Sequence, residues 1–176
     1  MKIDFRIIVS KHLRTLADAQ TGKLSVWDMI VFFAFPLAAG TYVYLEQLKV
    51  SKEVHNLSVT FFGIFVALLL NIQVAIFGVY ARNPRSPADG LNKAVFDKKI
   101  EDRRKILREL NTNISYLTLI GCLALFVMIF LFGRELESPL PSAISVAVFI
   151  HFLLTLLMVT KRAFILFDVE YSQMNG

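Results

Sequence analysis

An all-α integral membrane protein with four transmembrane helices is the fold this sequence predicts, and three observations predict it. Hydrophobic residues make up 56% of the chain and charged ones 19%, against about 25% charged in an ordinary soluble domain. The charge is also segregated. Windows 29–45, 54–81, 110–133 and 138–160 hold no Asp, Glu, Lys or Arg, so all 33 charged residues lie outside those 92 positions. Soluble helices keep one wet face, whereas a spanning helix needs about 20 mostly apolar residues. Finally, the cations are lopsided. With four spans, 16 of the 19 Lys and Arg residues fall on the side shared by the two termini and the central loop, and only Lys49, Lys52 and Arg134 on the other. Cations near span ends resist translocation, so both termini and the central loop are expected in the cytoplasm of a cell with a multi-pass inner-membrane protein.

The elements follow in order. Residues 1–24 are read as an inner-face segment, with an amphipathic helix over 3–20. Phe5, Ile8, Val9, Leu13 and Leu16 share one face, and Arg6, Ser10, Lys11 and Arg14 lie elsewhere. Such a helix suits either the anionic inner leaflet or the surface of the rest of the protein. The charges among its first residues break up any signal-peptide stretch, so the first span is expected to act as its own insertion signal. Gly22 ends the helix, and Ser25 with Asp28 begins the next in a capping-box-like pattern. Trp27 suits an aromatic belt.

Span one is expected over 27–46, with Pro36 in its interior. Proline has no N–H, which predicts a kink and a Phe32 carbonyl open to another partner. A polar outer loop of 47–56 leads to span two, over 57–81. The stretch 83–90, with Pro84, Pro87 and an Asp89-Gly90 pair, breaks the chain. Helical character resumes over 91–111, where Glu101 and Lys105 form an i,i+4 pair. Nothing separates it from span three (112–133), so one helix over 92–133 is predicted, about 60 Å long and projecting roughly 30 Å beyond the membrane. Gly133 ends it. Span four is expected over 141–160, continuing as a helix to about 172, with 161–176 as a cytoplasmic tail.

Several chemistries lack their residues. The longest polar stretch, 82–112, cannot bury a catalytic core of its own. Cys122 is the only cysteine. His12, His55 and His151 are expected at the inner side, the outer side and mid-membrane, too far apart to converge on a metal. There is no nucleophilic triad and no glycine-rich phosphate loop, and no span carries an interior carboxylate for proton-coupled transport. No catalytic residue, cofactor or metal is therefore expected, and no enzyme. Direct nucleic-acid binding is not expected either, because Asp97, Glu101, Asp102 and Glu109 interleave with the cations.

Polar side chains at membrane depth are the candidate functional residues: Asn71 and Gln73 in span two, His151 and Thr155 in span four. Two readings fit them. They hold helices together through hydrogen bonds, or they line a cavity, pore or proton-sensing site. Gly63 with Ala67, and Ala143 with Ala147, are small-residue pairs suited to helix packing. The sixteen phenylalanines are read as lipid-facing. Lys98, Lys99, Arg103, Arg104, Lys105 and Arg108 form the expected surface for a cytoplasmic protein partner.

The stretch from His151 to Arg162, His-Phe-Leu-Leu-Thr-Leu-Leu-Met-Val-Thr-Lys-Arg, resembles the closing segment of small bacterial four-span phage-defence membrane proteins, the membrane subunits of Kiwa-type systems. That resemblance implies a homo-tetrameric inner-membrane sensor recruiting a cytoplasmic DNA-binding effector, with Lys161 and Arg162 as inner-face anchors. The preferred expectation is thus a non-enzymatic, self-associating membrane subunit that recruits or regulates a cytoplasmic partner. The alternative is an oligomeric ion channel or membrane-permeabilising effector, lined by the polar residues of spans two and four.

Overall fold

The computed structural model describes residues 4–16, 25–81, 90–133 and 138–174. The described residues are 92% helical, without a strand, in five helices: α1 (Phe5–Thr15), α2 (Val26–Leu45), α3 (Lys52–Ala81), α4 (Gly90–Gly133) and α5 (Leu140–Met174). Four of them, α2 to α5, are long and apolar enough to cross a membrane. The Gly22 stop, the breaker before Gly90 and the tail of the 3–20 segment beyond Leu16 lie outside the described residues.

Each helix boundary has a local cause. Asp4 accepts a hydrogen bond from the Arg6 N–H to start α1, and the Ser25 hydroxyl accepts one from the Asp28 N–H to start α2. Ser and Asp do this because they satisfy N–H groups that have no partner inside the helix. α2 contains a π-helical turn over Ile30–Ala34, just before Pro36. It ends in a Schellman motif: the Leu48 N–H reaches the Val43 carbonyl, and the Gln47 N–H the Tyr44 carbonyl. That geometry requires a left-handed residue, and here it is Gln47, at φ 55°. The connection to α3 is shorter than the expected 47–56 loop. Ser51 accepts from the Val54 N–H, so the helix begins at Lys52, and residues 52–56 belong to its start rather than to a loop.

Helix α4 is central, packing against α3 and α5, while α2 packs only on α5 and α1 on α4. The buried residues of α3 recur every seven positions, at Phe62, Leu69 and Ile76, as do Phe152, Val159 and Leu166 of α5. Between them, α4 contributes Leu107, Leu110, Ile114, Leu117, Ala124 and Met128. Spacings of three, four and seven keep one seam facing the partner, as in coiled-coil packing. α2 docks by a different device. A Cβ on Gly40 would lie 2.8 Å from the Ala143 carbonyl oxygen and 2.9 Å from the Ala147 Cβ, so the small pair on α5 seats the glycine of α2. Small residues permit this approach where lipid supplies no hydrophobic drive.

Two expectations are corrected here. The phenylalanines are not uniformly lipid-facing. Phe61, Phe62 and Phe65 of α3 meet Phe149 and Phe152 of α5, with ring centroids 5.0–6.2 Å apart, and Phe62 and Phe152 are fully buried. The second concerns Gly63 and Ala67. Gly63 has nothing within 4 Å of where a Cβ would stand, and Ala67 is exposed, so among the described residues this pair packs against no other helix.

Candidate functional site

At the end of the bundle where α1 docks, a chain of polar side chains runs inward from α1. His12 is completely buried. Its Nδ1 lies 2.8 Å from the Asn113 Oδ1 of α4, and the Thr15 hydroxyl also donates to that oxygen, at 2.7 Å. The imidazole stacks on the ring of Tyr116 with centroids 3.7 Å apart and planes 4° from parallel. Tyr116 in turn has its hydroxyl 2.8 Å from His151 Nε2. His151 Nδ1 lies 2.6 Å from the Phe32 carbonyl oxygen of α2.

The protons in this chain can be placed by elimination. A carbonyl oxygen only accepts, so His151 carries its proton on Nδ1 and donates it to Phe32. Nε2 is then the acceptor, and the Tyr116 hydroxyl donates to it. Pro36 explains why Phe32 is available: four residues on, it has no N–H to offer that carbonyl. The sequence expectation of an open Phe32 carbonyl is realised, with His151 as its partner.

His12 and Asn113 are less completely served. His12 Nε2 and Asn113 Nδ2 are buried without a hydrogen-bond partner, each an expense of about 1–3 kcal/mol. Burial pushes the His12 imidazole down to about 4, against the upward pull of its Asn113 hydrogen bond; the charge of Arg162 lowers it further. His12 therefore docks as the neutral ring. Arg162 closes this end of the bundle, reaching Glu109 of α4 at 3.3 Å and donating to the Thr15 carbonyl at the end of α1.

The histidines do not lie as far apart as sequence order implied. His12 and His151 meet the same tyrosine, one by its face and one by its hydroxyl. Only His55 is remote, buried beside Ser145 at the other end of the bundle. Among the described residues, no three His, Cys, Asp or Glu side chains are grouped to hold a metal ion.

The four intramembrane candidates do not share one surface. Gln73 donates to the Ser115 hydroxyl of α4 at 2.7 Å. His151 bridges α4 and α2. Thr155 is fully buried, but its hydroxyl turns back to the His151 carbonyl of its own helix, at 2.9 Å. Asn71 is exposed, on the outward face of α3 that also carries Gly63 and Ala67. Of the cations expected at a partner surface, Lys98, Lys99, Arg104, Lys105 and Arg108 are exposed. Arg103 is not: it is buried and reaches the Val79 carbonyl, 3.4 Å away in the last turn of α3. A cation there suits the unpaired carbonyls and negative dipole of a helix C-terminus.

Asn113, Tyr116, Thr15 and Glu109 were not singled out by sequence reasoning. A signal was present: Asn113 and Tyr116 are three residues apart in an apolar window, and His12 and Thr15 are three apart on α1. Each spacing puts two polar groups on one helix face.

These features define a four-span helical membrane protein whose N-terminal helix is locked to the bundle by buried polar contacts. No protein-family model, no curated protein and no solved structure matches the chain.

Proposed function

We propose that this protein is a non-enzymatic, self-associating inner-membrane subunit that presents a basic cytoplasmic helix to a soluble partner protein. The observation that carries the reading is α4, one unbroken helix of 44 residues. At 1.5 Å per residue it is about 66 Å long, roughly twice the hydrocarbon thickness. The part beyond the membrane exposes Lys98, Lys99, Arg104, Lys105 and Arg108 on a support stiffened by Leu107 and Leu110 packing in the core. On the topology read from the cation bias, that part stands in the cytoplasm. The resemblance of residues 151–162 to phage-defence subunits extends the proposal to anti-phage sensing, with a soluble effector as the partner.

Self-association draws on the outward face of α3. Gly63, Ala67 and Asn71 follow one another at four-residue spacing, and among the described residues no other helix covers them. Small residues allow close approach, and an asparagine amide in hydrocarbon gains from a partner across the interface.

The test replaces Lys98, Lys99, Lys105 and Arg108 together by glutamate, while insertion is checked by membrane fractionation. A photo-crosslinker at Asp97 is expected to capture a soluble protein in the parent chain and to lose it in the charge-reversed one. Equal capture by both would overturn the reading.

A further inference from the structure

An open groove of about 520 Å³ lies between the start of α2, the end of α5 and the end of α1. Its lining is graded with depth. Asp28, Lys161 and Arg162 adjoin the uncharged windows 29–45 and 138–160, and Phe32, Leu154 and Met158 lie one to two turns further into them. Leu157 on its rim is 66% exposed and Ile165 43%, so the groove opens sideways, towards hydrocarbon.

The polar end carries charge of both signs. Arg162 is held by Glu109 and the Thr15 carbonyl, and the Asp28 carboxylate acts on it through its charge. Lys161 is exposed. A carboxylate and an ammonium thus flank Arg162 beside an apolar lining.

The geometry points to a phospholipid site selective for headgroups with a primary amine. The lipid phosphate sits on Lys161 and Arg162, its ammonium donates to Asp28, and one acyl chain runs along Phe32, Leu154 and Met158. Basic pockets between spans at the membrane surface hold lipid headgroups by the same electrostatics. Asp28 sets the selectivity. It repels a purely anionic headgroup and has a use only for one that also carries a cation. A trimethylated amine has no N–H to give it.

The test is native mass spectrometry of the detergent-purified full chain, titrated separately with phosphatidylethanolamine, phosphatidylcholine and phosphatidylglycerol. Phosphatidylethanolamine should bind tightest. Asp28→Asn should weaken it about tenfold, the size of one charge-assisted hydrogen bond, without weakening phosphatidylglycerol. Lys161→Gln should weaken both. Because Asp28 stands in the first turn of α2, circular dichroism checks that its variant keeps the parent helicity, and the exposed Lys161 supplies the second variant. Equal binding of the three lipids, tighter phosphatidylglycerol than phosphatidylethanolamine in the parent chain, or no effect of Lys161→Gln would each overturn the proposal. None of these readouts involves the soluble partner.

Discussion

His151 donates to the carbonyl of Phe32, 2.6 Å away, a group that Pro36 leaves without a donor of its own. A proline in one span thereby fixes which residue of another span lies beside it. His151→Phe removes the donor to Phe32 and the acceptor for Tyr116 together, and should destabilise the fold by about 2 kcal/mol. Pro36→Ala restores an N–H within reach of Phe32. In that background the cost of His151→Phe should fall by about 1 kcal/mol, a coupling that a double-mutant cycle of unfolding in mixed micelles would read. Strict additivity would disconnect the two residues.

The docking of α1 should weaken with acid. A free histidine titrates near 6.5 and buried His12 near 4, so the docked state binds fewer protons than the undocked one between these values. Docking is fully supported above about pH 6.5 and is lost as pH falls towards 4, by up to about 3 kcal/mol. A spin label at Lys11→Cys, in a Cys122→Ser background, should gain mobility over that interval. His12→Gln should flatten the response.

Gly40 and Gly63 make a matched pair. Gly40→Ala forces α2 and α5 apart, because the nearest obstacle is the Ala143 backbone, and should cost about 1–3 kcal/mol. Gly63→Ala meets nothing among the described residues and should leave the stability unchanged or slightly raised, alanine being the better helix former. Thermal unfolding in detergent distinguishes the two. Gly63→Leu tests the other role of this face and should reduce the oligomer fraction in cross-linking.

Gln47 is in a conformation that suits glycine. Gln47→Gly should stabilise the α2 terminus by up to about 1 kcal/mol, since the left-handed region disfavours a side chain. A lower stability would mean that the Gln47 side-chain bond to the Tyr44 carbonyl, 3.1 Å long, outweighs the backbone relief.

What could be read in advance depended on how local its cause was. The four spans follow from uncharged windows, the α2 start from Ser25 and the open Phe32 carbonyl from Pro36, and each of these is written within a few consecutive residues. The continuity of α4 follows from the lack of a breaker between Gly90 and Gly133. The meeting of His12 with Tyr116 has no such cause. It depends on α1 turning its His12 face into the bundle, which amphipathicity alone does not choose over the leaflet. Likewise, Arg103 stands in a run of cations that reads as wet, and only the position of the α3 terminus turns it inward.

The central claim is that four spans put the basic part of α4 and the α2–α3 connection on opposite sides of a membrane. It is tested most directly by single cysteines at Lys49 and Lys99, both exposed, in a Cys122→Ser chain probed with a membrane-impermeant maleimide in intact spheroplasts. Lys49→Cys should label at once and Lys99→Cys only after lysis. Labelling of Lys99→Cys in intact spheroplasts would contradict the account.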